Sequence, residues 1–260
     1  MNNKIYLAGS FFDFRDRIIS QLSGYEFSDP RKHRQHAISA TVEDDMKEAQ
    51  ECPIVLACFP AGKTKGTMTY AEIGASKING NYLIVADETD EPDNLLDSVS
   101  DIKVSSIDHA IRLIKSNTEF KSKQNKIEKK ENRGLKVLIA TNNNFYQEAK
   151  RLNSDRKTIV NINNIKKLED LADIGLTVVN FPKGEKRDKK SIFFMGASYS
   201  LKIPVIMIDE NPIIYPPLAG LSRRIFTKSN VALDYLENIN SQEIDNEAKL
   251  MYDLFKKYKS

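Results

Sequence analysis

Apolar residues along the chain fall into two alternating patterns. Runs of about five to eight mostly apolar residues read as buried strands, and stretches with apolar residues three and four apart read as helices. In the first half the runs lie near 4–9, 25–28, 53–59, 82–86 and 102–106, with helical patterns near 12–23, 42–51, 68–79 and 108–116. In the second half the runs lie near 136–141, 158–162, 176–181, 204–208 and 224–227, with helices near 144–152, 166–172, 190–200 and 230–237. Such alternation predicts an α/β protein: two tandem doubly wound, flavodoxin- or Rossmann-like domains, each built on a five-stranded parallel sheet. In these sheets ligands sit at the carboxyl ends of the strands. A last stretch, "EIDNEAKLMYDLFKKYK", sets Ala248, Met251, Leu254 and Phe255 at helical spacing and predicts a C-terminal helix.

The two halves also resemble each other. Residues 54–88 align with 176–210 without a gap. Phe59-Pro60 falls on Phe181-Pro182, Gly62 on Gly184, Gly74-Ala75-Ser76 on Gly196-Ala197-Ser198, and Asp87-Glu88 on Asp209-Glu210. Upstream, "KIYLAGS" at 4–10 matches "KVLIATN" at 136–142 in kind. An internal repeat of this kind sets the expected layout. Residues 1–118 form a domain with a candidate site, 119–134 a charged linker, 135–240 a degenerate repeat and 241–260 the final helix. The linker run "KSKQNKIEKKENRG", rich in charge, is expected to be exposed.

Composition narrows the classes. The 260 residues are 40% hydrophobic and 29% charged, and a net charge of +3 is too small to imply nucleic acid. No apolar run reaches the roughly 18–20 residues of a membrane helix. "MNNKIYLAGS" enters a strand at once, so a cytoplasmic protein without a signal peptide is expected. Cys52 and Cys58 lie too close along one strand to pair well, and no second ligand pair accompanies them. Neither a metal nor a cofactor is expected.

Three loops at strand ends carry the candidate chemistry. After the first strand, Gly9-Ser10 and Phe11 lead into a helix bearing Arg15 and Arg17; backbone N–H groups and an arginine there suit an anion. After the second, "SDPRKHRQHA" crowds Asp29, Arg31, His33, Arg34 and His36 on one rim, followed by Asp44 and Asp45. Asp29 before Pro30 is also an ordinary turn opener, and Asp44 and Asp45 also suit a helix start. After the third strand, past Pro60, comes "TKGTMTYAEIGASKING" with the lone acid Glu72. Thr69-Tyr70-Ala71-Glu72 fits a capping box, which predicts Thr69 as the N-cap and Glu72 bonding back to it. The second half keeps Ser191 opposite Thr69 but has Phe194 opposite Glu72, so capping alone does not require the acid.

"KIYLAGSFFDFRDR", "FSDPR" and "IVLACFP…GTMTYAEIGAS…NYLIVAD" together resemble the nucleoside 2-deoxyribosyltransferase superfamily, which includes deoxynucleoside-monophosphate N-glycosidases. The resemblance covers the first half. It implies an enzyme that cleaves or exchanges an N-glycosidic bond of a nucleoside or nucleotide, with Glu72 as the nucleophile. By the same resemblance Gly9, Ser10 and Arg15 take the sugar or 5′-phosphate end, and Thr67 or Thr69 orients the substrate; Phe11, Arg31, His36 and Pro60, on the same loops, are further candidate contacts. Two positions depart from the family: Cys52-Pro53 and Gly66 stand where it commonly carries aspartates. Asp29, Asp44 and Asp45 are left to serve the departing base. Subunits of the family complete each other's sites, so the second half is expected to act as an internal pseudo-dimer partner through Tyr215 or Ser222, with further homo-oligomers open. Two other classes stay open: a nucleotide-sensing module without turnover, and a structural or interaction protein.

Overall fold

The computed structural model describes residues 3–10, 14–34, 38–117, 119–130, 135–141 and 143–239. Phe11, His36 and the helix expected within 241–260 lie outside the described residues. The chain divides into two compact units, Met1–Ile127 and Glu128–Ser260. The first contains β1 (Lys4–Gly9), α1 (Phe14–Gln21), β2 (Glu26–Ser28), α2 (Ile38–Glu51), β3 (Ile54–Phe59), α3 (Thr67–Ile78), β4 (Tyr82–Asp87), α4 (Asn94–Val99), β5 (Ile102–Val104) and α5 (Ile107–Ser116). Its sheet runs β2-β1-β3-β4-β5, all parallel. The central strands "IVLACF" and "YLIVAD" are buried along their whole length, as a sheet covered on both faces demands. One face packs Ile5, Leu7, Leu56, Cys58 and Ile84 against Ile18, Ile111 and Ile114 from α1 and α5. Side chains alternate along a strand, so Tyr6, Val55 and Leu83 turn to the other face, where α2 and α3 lie.

The second unit contains β6 (Leu135–Ala140), α6 (Asn143–Ala149), β7 (Lys157–Asn161), β8 (Leu176–Phe181), α7 (Lys189–Ser200), β9 (Val205–Asp209), α8 (Pro216–Leu221), β10 (Arg224–Phe226) and α9 (Ser229–Asn238). Its parallel strands run β10-β9-β8-β6-β7, the same doubly wound order read from the other edge. Residues at matching positions make matching contacts. Glu88 Oε1 accepts the Ile107 N–H at 2.9 Å, and Glu210 Oε1 accepts the Ser229 N–H at 2.8 Å. Lys65 pairs with Asp87 at 2.8 Å, and Arg187 with Asp209 at 2.8 Å. Among the described residues no helix is long and apolar enough to cross a membrane.

Three expectations change. α4 and α8 were not expected, and the pattern at 166–172 forms a 3-10 helix, Leu168–Asp173. The capping box is absent: α3 begins after Gly66, which places Thr69 in the first turn and Glu72 in the second, beyond reach of the cap. In the second unit Asp188, not Ser191, caps the helix, accepting from the Ser191 N–H and hydroxyl at 2.7 Å each.

The charged run after α5 is not simply exposed. Its first part straps the end of α3: Asp101 Oδ1 accepts the Lys123 N–H at 2.6 Å, and the Ile127 N–H donates to Ile78 O at 2.8 Å. Lys77, buried, donates to Asp101 at 2.7 Å and to the Ser122 hydroxyl at 3.0 Å. Gly80, at φ +72°, makes this possible, because a Cβ there would meet Lys126 N at 2.8 Å and Gln124 O at 2.9 Å. Gly80→Ala is therefore expected to destabilise the first unit by about 1–3 kcal/mol. A lower urea midpoint and faster amide exchange at Ile127 are the readouts; unchanged exchange there contradicts the strap.

Candidate active site

Glu72 lies on the face of α3 turned toward the sheet and is only 4% exposed. Burying a carboxyl is costly unless its oxygens are bonded. Oε1 accepts a hydrogen bond from the Tyr6 hydroxyl at 3.1 Å; Oε2, also buried, has no partner among the described residues. Burial above all, and then the charge of Asp45, push the Glu72 carboxyl up to about 8, against the opposing pull of Arg15 and the Tyr6 bond. Burial likewise drives the Tyr6 hydroxyl well above its ordinary range, so it stays a donor.

Of the three acids considered as partners, one fits. Burial raises Asp29, but bonds from Arg31 side chain and backbone outweigh it and hold the carboxyl below its usual range. Its oxygens meet Arg31 Nη2 at 2.7 Å and Arg15 Nε at 3.5 Å, and it caps the 3-10 helix Pro30–Lys32. This is the turn role. Arg34 Nη2 lies 2.6 Å from Asp44 Oδ1 and draws that carboxyl down to about 2. Asp45 alone is raised, chiefly by burial, with His33 opposing. His33 Nδ1 stands 2.6 Å from Asp45 Oδ1, and its ring stacks on Tyr6 with centroids 6.3 Å apart.

The loop after β1 closes the site. Gly9 has φ +140°, and a Cβ on it would lie 2.7 Å from Cys58 O, so the chain passes β3 only as glycine. Arg15 does not face a ligand: it is 0% exposed, and its guanidinium donates to Ser10 O at 2.6 Å, Gly9 O at 2.6 Å and Leu7 O at 3.3 Å. Its fork holds the turn instead of an anion. Arg31 is likewise engaged, with Asp16 and Asp29. Ser10 meets the start of α3, since a Cβ on Gly66 would stand 2.9 Å from Ser10 Oγ and 3.0 Å from Thr69 Oγ1. Ser10, Thr67 and Pro60 are half-buried at this mouth, and Thr69 is buried below it.

Thus Glu72, Asp45, Ser10 and Thr69 gather near one strand end, whereas Asp29, Arg31 and Arg15 serve the scaffold. Sequence reasoning passed over Tyr6 and treated His33 only as a rim residue. Tyr6 was detectable as the one polar-tipped side chain in the buried run of β1, since a buried tyrosine hydroxyl seeks a partner. Among the described residues no group of three or more His, Cys, Asp or Glu is arranged to hold a metal ion. In the second unit β6–β8 register puts Leu138 where Tyr6 stands, β6–β7 puts Val160 where Ser28 stands, and Phe194 replaces Glu72.

The raised Glu72 carboxyl has a thermodynamic consequence. A carboxyl that titrates higher folded than unfolded supports the native state below about pH 4.5 and withdraws that support as pH climbs through about 8. Glu72→Gln removes the dependence. The variant is expected to be more stable than the wild type at about pH 9, with the difference fading below about pH 5. Denaturant titrations across pH check this, and parallel curves for the two proteins contradict it.

No family model and no curated protein matches the sequence. Among solved structures, a 2-deoxyribosyltransferase from Bacillus psychrosaccharolyticus is similar over 46% of this chain and 98% of its own, at 17% identity and TM-score 0.37. The catalytic subunit of a cobaltochelatase from Mycobacterium tuberculosis is similar over 80% of this chain but 21% of its own length, at 14% identity and TM-score 0.28.

Proposed function

We infer that the first unit cleaves or exchanges the N-glycosidic bond of a small nucleoside or nucleotide, with Glu72 as nucleophile and Asp45 as its acid partner. The observation that carries this is the asymmetry of one carboxyl: Oε1 is held by Tyr6, while buried Oε2 has no partner among the described residues. Two close, buried acids do not ionise together readily. Glu72 keeps its proton at pH values below about 8, so the reacting form is the minority one in which Asp45 holds the proton and Glu72 is the anion. Its Oε2 attacks the sugar C1′ as the bond to the base breaks, and the electron pair leaves on the base nitrogen, which takes the proton from Asp45. The transition state carries positive charge on the sugar, so a buried carboxylate stabilises it more strongly than it would in water. Water or a second base then displaces Glu72 from C1′. The second unit, with Leu138, Val160 and Phe194 at the matching positions, is a degenerate copy without turnover in this reading.

The test incubates the full chain with nucleosides, deoxynucleotides and nicotinamide dinucleotide and follows released base. Wild type is expected to release base from at least one of them, and Glu72→Gln to be slower by at least about 100-fold. A 2-deoxy-2-fluoro nucleoside should leave a sugar-sized mass increment on Glu72. Saturable binding without release, equal in both proteins, favours the sensing module and removes the enzymatic reading.

A further inference from the structure

A hydrogen-bonded chain leads away from Asp45 through His33. His33 Nδ1 lies 2.6 Å from Asp45 Oδ1, and Nε2 lies 3.3 Å from Ser28 Oγ. The Glu48 carboxyl, also near His33, receives Lys4 Nζ at 2.5 Å. Burial raises Glu48, but the bonds and charge of Lys4 outweigh it and keep the group below its usual range, so it is a carboxylate.

Ser28 Oγ can donate to Nε2 or accept from it; in the arrangement that follows it accepts, so that Nε2 carries a hydrogen. At 2.6 Å a bare Nδ1 lone pair cannot face a bare carboxylate oxygen. One proton must lie between them. It sits either on Nδ1, giving imidazolium beside carboxylate, or on Asp45, giving neutral imidazole beside carboxylic acid. In both arrangements the pair holds one transferable proton, and imidazole is the side chain suited to exchanging it near neutral pH. The charged and titratable groups around the pair are Tyr6 from β1, Arg15 from α1, Asp44 and Glu48 from α2, and Glu72 from α3.

We propose that His33 is a positioning residue that keeps this proton available, so that Asp45 can hand it to the departing base. The role rests on the glycosyl-transfer reading above. As C1′–N breaks and Glu72 Oε2–C1′ forms, the one proton of the pair passes through Asp45 to the base nitrogen, leaving neutral imidazole beside a carboxylate. When water releases the sugar from Glu72, its proton returns through Asp45 to Nδ1. Ser28 acts only by accepting from Nε2.

The test uses two leaving groups in the full chain: a 2-deoxynucleoside, whose base needs a proton, and p-nitrophenyl 2-deoxyriboside, whose phenolate does not. His33→Gln is expected to lower kcat/KM about 100-fold on the nucleoside and less than about 3-fold on the aryl glycoside. Ser28→Ala, a gentler change, should show a smaller loss with the same selectivity. A downfield imidazole N–H resonance should be present in the wild type and absent in Asp45→Asn. Equal losses on both substrates, no loss on either, or a missing resonance overturns the relay alone. If the wild type turns over neither substrate while the resonance is intact, the glycosyl-transfer reading itself falls and takes the relay with it.

Discussion

The first unit is organised around the burial of one carboxyl that its surroundings only half satisfy. Glu72 sits in a helix packed on the sheet, and the Tyr6 hydroxyl is the bond it receives. Everything nearby follows from making that tolerable. Arg15, itself buried, gathers the carbonyls of Leu7, Gly9 and Ser10 and adds a compensating positive charge within reach of Glu72. Asp29 then answers the Arg15 charge, and Arg31 answers Asp29. Glu72, Arg15, Asp29 and Arg31 thus form one connected network at the strand ends. Such networks are weak sources of net stability and better sources of fixed geometry.

The second unit shows the same scaffold without the acid. Both sheets share a strand order, and both use a glutamate after the fourth strand to receive the first amide of the last helix. Asp29 and Asn161 cap equivalent 3-10 turns. Where the first unit has Tyr6, Ser28 and Glu72, the second has three apolar side chains, and nothing there calls for a buried guanidinium. A reciprocal trace remains on the sheet: Thr177 bonds Ser198 at 2.7 Å, whereas Val55 leaves the matching Ser76 hydroxyl unpartnered.

Much of this architecture was legible in the residue pattern, for a physical reason. Strands buried on both faces must be continuously apolar, so β3, β4, β8 and β9 announce themselves. Helices of six residues, such as α4 and α8, are too short to display a period. Thr69 and Glu72 matched a capping motif because the motif specifies spacing and not where the helix starts; α3 starts two residues before Thr69. Glu72 and Asp45 stood out as acids, but Tyr6 meets Glu72 across 66 positions, and only register along β1 and β3 brings them together. Arg15 shows the limit most plainly. Its charge suggested an anion, while its orientation, set by three carbonyls, is invisible to any reading of residue types.

The strap after α5 carries the same lesson in another form. Its grip on α3 and Asp101 passes through the amides of Lys123 and Ile127 and one serine hydroxyl. A segment held largely through its main chain is free to vary its exposed side chains, while the buried Ile127 is fixed by its packing. Selection on that stretch would be written at Gly80, on the receiving side, and at Ile127 alone among the strap's lysine-rich neighbours.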